Sequence, residues 1–166
     1  VGQPDVPDVP DVPATVLVVD DAPDVRLLAR AVLTRAHFSV VEAAGGQEAL
    51  AVLAQSAAPD LVVLDVQMPD VDGWDTLQAI RMSSDAAVAY LPVILCTVKA
   101  HPRDVRRAWQ VGCDGYLNKP FSITDLIDAV RTVLARTAEE RMAYRQEMAT
   151  ASAEQPAAQS GAGASR

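Results

Sequence analysis

The sequence predicts an α/β fold: a five-stranded parallel sheet in the order 2-1-3-4-5, with helices on both faces. Three observations carry this reading. Short aliphatic and β-branched runs alternate with longer stretches of helical periodicity, five of each. The short runs are apolar throughout, as strands covered on both faces are. Four of the five are followed at once by side chains with reactive or ligating chemistry, and in open α/β sheets ligands bind beyond the carboxyl ends of the strands, where strand order reverses.

Taken in order, TVLVV (15–19) is the first strand, and DVRLLARAVLTRAH (24–37) is a helix with Val25, Leu28, Ala29, Val32, Leu33 and Ala36 on one face. FSVVEA (38–43) is the second strand, followed by a helix over 46–56 with Leu50 and Leu53 inward. LVVLD (61–65) is the third strand, and a helix over 74–82 gathers Trp74, Leu77 and Ile80. LPVILCT (91–97) is the fourth strand, and the helix over 103–111 stops at Gly112, a residue that takes the left-handed cap at little cost. GYLN (115–118) is the fifth strand. Ser122 and Asp125 then form an Ser-x-x-Asp start for a helix carrying Ile123, Leu126, Ile127, Val130 and Val133.

A chain of 166 residues holds one domain with a real core plus tails. The predicted division is an arm over 1–13, a domain over 14–137, and a helical extension followed by a disordered tail over 138–166. The arm reads PDVPDVPDVP over 4–13, with proline at every third position favouring an extended segment. Residues 134–149 are rich in helix formers, with Leu134, Ala138, Met142 and Ala149 near one face and Arg145 interrupting it. This stretch reads either as a tail lying on the domain or as a linker helix toward an output domain or a dimer partner.

A formal net charge of −8 argues against a broad nucleic-acid surface, which needs clustered Lys and Arg. No apolar run approaches the ~20 residues of a membrane span, and the start lacks a basic segment before an apolar core. Cys96 and Cys113 have no second pair with which to hold a metal, and read as reduced, buried residues of a cytoplasmic protein. His37 and His101 read as surface or helix-end residues, and Trp74 and Trp109 as packing residues. DVDGWD (70–75) is a poor calcium loop, because Arg81 stands where the closing glutamate belongs.

The first strand ends in Asp20-Asp21, the third in Asp65, the fourth in Thr97, and the fifth leads into Lys119-Pro120. For strands one and three to be neighbours the order should be 2-1-3-4-5, and Asp20, Asp21 and Asp65 would then converge. Two carboxylates ~5 Å apart repel by roughly 3 kcal/mol at an effective dielectric of ~20. Helix capping could explain any one of the acids but not the cluster; a cation explains all three. An all-oxygen site suits Mg²⁺, with Mn²⁺ as its substitute, better than zinc. A carboxylate left free can then act on phosphorus, and Asp65 on the central strand is the natural nucleophile. Thr97 and Lys119 are placed to bind the phosphoryl oxygens.

VLVVDD, LVVLDVQMPDVDG, VILCT and GYLNKPF, in that order and at those separations, resemble the receiver domain of bacterial two-component response regulators, a flavodoxin-like fold. The resemblance covers roughly residues 14–137. It implies that Asp65 accepts a phosphoryl group from a sensor histidine kinase or a phosphotransfer protein. Asp21, Asp65 and the backbone carbonyl of Gln67 would ligate Mg²⁺, with Asp20 acting mostly through a water. Thr97 would move toward the phosphoryl group and Lys119 would pair with it, across a cis Lys119–Pro120 bond. Tyr116 stands at the aromatic switch position. The face formed by the fourth predicted helix, the fifth strand and the fifth helix would shift to an active state, acting on a downstream protein target or output domain, or forming a homodimer there or through 134–149. Val98 is bulkier than the residue usual beside the threonine, and Gln67, Val98 and Lys99 sit at rate-tuning positions.

On this reading the only chemistry is self-phosphorylation and self-dephosphorylation at Asp65. An aspartate-based phosphohydrolase of the haloacid dehalogenase type would carry its nucleophile on the first strand in Asp-x-Asp, whereas that strand here ends Asp20-Asp21-Ala22. A degenerate receiver kept as a binding scaffold is the other alternative.

Overall fold

The computed structural model describes residues 12–55, 58–98 and 101–154. Most of the proline-repeat arm, Lys99 and the residues after 154 lie outside them. The strands are β1 (Thr15–Val19), β2 (Ser39–Ala43), β3 (Leu61–Asp65), β4 (Val93–Thr97) and β5 (Gly115–Asn118). All pair in parallel, in the order β2-β1-β3-β4-β5. The helices are α1 (Pro23–Arg35), α2 (Gly46–Gln55), α3 (Gly73–Arg81), α4 (Ala86–Ala89), α5 (Pro102–Val111), α6 (Ile123–Ala135) and α7 (Ala138–Glu154).

Strand side chains alternate between two cores because successive residues point to opposite faces. Val16, Val18, Leu61, Val63, Ile94 and Cys96 pack with α1 and α6. Leu17, Val19, Val62, Leu64, Val93 and Leu95 pack with α2, α3 and α5. Ser122 and Asp125 form the expected reciprocal capping box at the head of α6, and Gly112 ends α5 at φ 106°. His101 caps α5, its Nδ1 accepting from the Arg103 N–H at 3.2 Å. Asp72 caps α3 rather than holding an ion: its side chain accepts from the Asp75 N–H at 2.9 Å.

Three expectations need correction. Leu28, placed on the buried face of α1, is 58% exposed, because the buried stripe is centred on Ala29 and Leu33 and Leu28 falls beyond its edge. A one-turn helix, α4, follows Asp85, whose side chain caps it; four residues are too few to show a period. Residues 134–149 are not one stretch: Leu134 and Ala135 close α6, and a separate helix starts at Ala138. The backbone turns extended at Arg136 (φ −86°, ψ 138°). Thr137 and Glu140 then form a second capping box, Glu140 Oε2 accepting from the Thr137 N–H at 2.7 Å and Thr137 Oγ1 from the Glu140 N–H at 3.2 Å.

The new helix, α7, folds back along α5. Arg145, read as an interruption, is its anchor: Nε and Nη2 donate to the two oxygens of Asp114 at 2.9 and 2.8 Å. Asp114 also meets Arg81 at 3.1 Å and Arg141 at 3.5 Å, and its side chain is fully buried. Three guanidiniums around one carboxylate leave an excess of positive charge. Helix-terminal carbonyls offset it: Arg81 donates to the carbonyls of Gly112 and Ala89, and Arg141 to that of Arg136, at the ends of α5, α4 and α6. Burial, then the neighbouring Arg145, still lower the Arg81 pKa to about 10 against the pull of Asp114.

Candidate functional site

Parallel pairing of Val19 with Leu64 and of Asp65 with Cys96 brings the ends of β1, β3 and β4 level. Asp20, the first residue past β1, and Asp65, the last of β3, are both buried, while Asp21 faces solvent. One carboxylate oxygen from each of Asp20, Asp21 and Asp65 falls within 4.8 Å of the others. This is a hard, all-oxygen donor set, open to solvent on the Asp21 side, and it fits a divalent cation of the Mg²⁺ type.

The Lys119 ammonium reaches the same oxygens. It donates to Asp20 Oδ2 at 2.7 Å and lies 3.1 Å from Asp65 Oδ1. The backbone delivers it there: the Lys119 N–H donates to the Thr97 carbonyl at 2.8 Å, and the Lys119–Pro120 bond is cis. Burial works to lower the Lys119 pKa, but hydrogen bonds to Asp20 and Asp65 outweigh it and hold the ammonium above its ordinary range. Asp65 is held above the usual carboxylate range, mainly by burial and further by Asp20; Lys119 and the Gln67 N–H pull the other way without overcoming it. The pair thus satisfies the lysine more fully than the aspartate, because desolvation falls on the more deeply buried partner.

Thr97 is buried at the end of β4, and Val98 beside it is 56% exposed. Tyr116 is half-buried on β5, its hydroxyl pKa pushed up to about 12 by burial and by Asp104. The Cys96 thiol, paired in register with Asp65, is pushed up to about 12, chiefly by burial, and is inert as a nucleophile. Lys99 lies outside the described residues.

Two supporting residues gave no signal in the sequence. Arg26 on α1 donates to the Asp20 carbonyl at 2.7 Å and lies 3.7 Å from Glu42 at the end of β2, tying the acid's backbone to the neighbouring strand. Gly73 presses on the segment that carries the nucleophile candidate. A Cβ there would stand 2.6 Å from the Val66 Cα and closer still to the Asp65 carbonyl oxygen. Gly73→Ala should therefore push the β3–α3 loop off Asp65, costing about 1–3 kcal/mol; a variant with wild-type melting would remove this role.

Residues 16–131 match the family model described as the response regulator receiver domain, and the chain belongs to that family: it carries the phosphoacceptor module of two-component signalling. Among its relatives, the response regulator Rre1 of Synechocystis is 41% identical over 123 residues, covering 74% of this chain and 52% of that protein. RpaA of Synechocystis, described as a DNA-binding dual master transcriptional regulator, is 34% identical over 122 residues, covering 74% and 49%. The chain spans about half the length of the curated relatives it matches. Among solved structures, the chemotaxis protein CheY4 of Vibrio cholerae superposes with a TM-score of 0.69 at 33% identity, over 74% of this chain and 99% of that one. The receiver domain of Francisella response regulator 1452 gives 0.66 at 28% identity, over 73% and 96%. These relatives do not favour the phosphohydrolase or scaffold readings. Among the described residues, no helix is long and apolar enough to cross a membrane.

Proposed function

We propose that Asp65 is the phosphoacceptor of this domain, taken here as residues 14–137, and that its donor is a phosphohistidine on a sensor kinase or phosphotransfer protein. The carrying observation is the convergence of Asp20, Asp21, Asp65 and Lys119 at the carboxyl edge of the sheet. An Asp65 oxygen attacks phosphorus as the phosphorus–nitrogen bond breaks, and the leaving imidazole nitrogen recovers a proton from solvent. Asp20, Asp21 and Asp65, with the Gln67 carbonyl, would hold Mg²⁺, which when bound offsets charge on the phosphoryl oxygens. Lys119 then shifts from the carboxylates to the phosphoryl group, and the Thr97 hydroxyl closes on it from β4. Water attack on the acyl phosphate resets the domain, its access tuned by Gln67, Val98 and Lys99.

The output is a change in the α5–β5–α6 face, with Tyr116 following Thr97, read by a downstream protein or by an output domain. Leu27 and Leu28 on α1, 66% and 58% exposed, and Ile123 at the head of α6, 54% exposed, offer apolar contact to a docking donor. Buried free cysteines suit the cytoplasm.

The test is intact mass after incubation with Mg²⁺ and acetyl phosphate. Wild type should gain one labile phosphoryl adduct, and Asp65→Asn none; an adduct of equal yield on the variant ends the assignment. The same variant reports on burial. Because the folded pKa of Asp65 lies above its unfolded value of 3.8, the folded state holds the proton more tightly. The cost of the charged form is absent below pH 3.8 and complete above the folded pKa. Without divalent cations Asp65→Asn should therefore melt higher than wild type at neutral pH, and the gain should shrink on acidification.

A further inference from the structure

The chain's own α7 lies along α5, on one side of the α5–β5–α6 face, with Tyr144, Met148 and Ala149 against the core. None of the described side chains of α7 is fully buried, so the helix lies on the surface of the domain. At its middle, Arg145 latches onto Asp114, which also accepts the Val93 N–H at 2.9 Å and so belongs to the start of β4, at the opposite edge of the sheet from the acids. From there α7 climbs antiparallel to α5. Tyr144 meets Trp109 edge-on, with centroids 5.5 Å apart, and Arg106 donates twice to the Ser152 carbonyl at 2.9 and 2.7 Å. Between these points the fit is incomplete. A cavity of about 480 Å³ opens under the helix, walled by Trp109, Tyr116, Tyr144 and Met148. The buried indole N–H of Trp109 has no hydrogen-bond partner among the described residues.

We propose that α7 is an intramolecular cover of the α5–β5–α6 face, and that its docking and phosphoryl occupancy of Asp65 oppose one another; this rests on the reading of Asp65 as acceptor. Through Arg145, α7 is fixed to the start of β4, at the end of the strands opposite Asp65. Its upper half is fitted to α5 and to the surroundings of Tyr116, in the arrangement where Lys119 holds Asp20 and Asp65. Drawing Thr97 and Lys119 to a phosphoryl group moves the ends of β4 and β5, and with them α5 and the cavity wall at Tyr116 beside the upper half of α7. A surface helix with a cavity beside it gives way there first. Linkage makes the effect reciprocal: whatever undocks α7 strengthens phosphoryl binding by the same factor. A second copy, or a partner using this face, gains access only as α7 leaves.

The test uses the full chain, with Mg²⁺ and beryllofluoride as the phosphoryl mimic. Amide hydrogen exchange over 143–152 should speed up about fivefold or more on beryllofluoride binding. Arg145→Ala, which cuts the latch, and Tyr144→Ala, which removes the Trp109 contact, should each bind beryllofluoride about fivefold or more tighter than wild type. Either variant suffices should the other fold poorly. Binding with unchanged exchange, or folded variants that bind as wild type does, overturns the coupling alone. Failure of wild type to bind beryllofluoride at all overturns the acceptor reading, and the coupling with it.

Discussion

Lys119→Met should lower stability without divalent cations and gain more from Mg²⁺ than wild type does. Among the described residues the Lys119 ammonium is the cation nearest the acids, 2.7 Å from Asp20 Oδ2 and 3.1 Å from Asp65 Oδ1, with both carboxylates almost wholly buried. Methionine keeps the length of the side chain and removes the charge. Two carboxylates ~5 Å apart then face each other with roughly 3 kcal/mol of repulsion at an effective dielectric of ~20. Breaking a buried pair by removing one partner costs about 3–5 kcal/mol. The site opens to solvent through Asp21, so the lower end of that range is expected here.

Acid should relieve the defect, since protonation removes the unpaired charge. Mg²⁺ should relieve it at neutral pH, because it would take the same oxygens that the lysine holds in wild type. The variant should therefore bind Mg²⁺ more tightly while losing the phosphoryl contact that Lys119 is proposed to make. Thermal melts in chelator and in Mg²⁺, read against a Mg²⁺ titration of Trp74 fluorescence, check this. Equal melting of the two proteins in chelator would show that the lysine is not what neutralises the acids.

Much of this site could be read from the chain because it is built from strand ends. A parallel sheet turns linear order into spatial order: once β1 and β3 are neighbours, Asp20, Asp21 and Asp65 must meet, and Thr97 and Lys119 arrive on the next two strands. Ser122 and Asp125 were legible for a related reason, since a capping box is satisfied within four residues. Thr137 and Glu140 carry the same kind of signal, but the helix formers around them hid it behind an apparent continuation of α6. Arg81 and Arg145 could not be read at all. Each stands on a helix where arginine is ordinarily a solvated residue, and what buries them is Asp114, 33 and 31 residues away. Arg26 and Gly73 likewise act on backbone atoms, the Asp20 carbonyl and the Asp65–Val66 peptide, whose positions exist only once the sheet has formed.

Asp114→Ala should produce the largest loss of stability of any substitution considered, about 3–5 kcal/mol. Its side chain has no solvent exposure and accepts from the Val93 N–H at 2.9 Å, from Arg81 at 3.1 Å and from both Nε and Nη2 of Arg145. Alanine leaves the Val93 N–H without an acceptor and three guanidiniums side by side with only helix-terminal carbonyls against them. Arg81 is already depressed to about 10, with burial first and Arg145 second among the causes and Asp114 opposing both. Arg81 cannot leave, because its other donors hold the carbonyls of Gly112, Ala89 and Leu91. Arg145 can, since α7 is peripheral, so part of the strain should be relieved by α7 lifting away. The melting temperature of Asp114→Ala should fall by about 10 °C or more, with fast amide exchange across α7. Asp114→Asn keeps an acceptor for Val93 and should lose less. Arg145→Ala should lose least, because it removes a charge from a cluster that has too many of one sign. The order of the three variants separates a buried carboxylate that organises the cluster from a surface ion pair, in which either partner could be removed at similar cost.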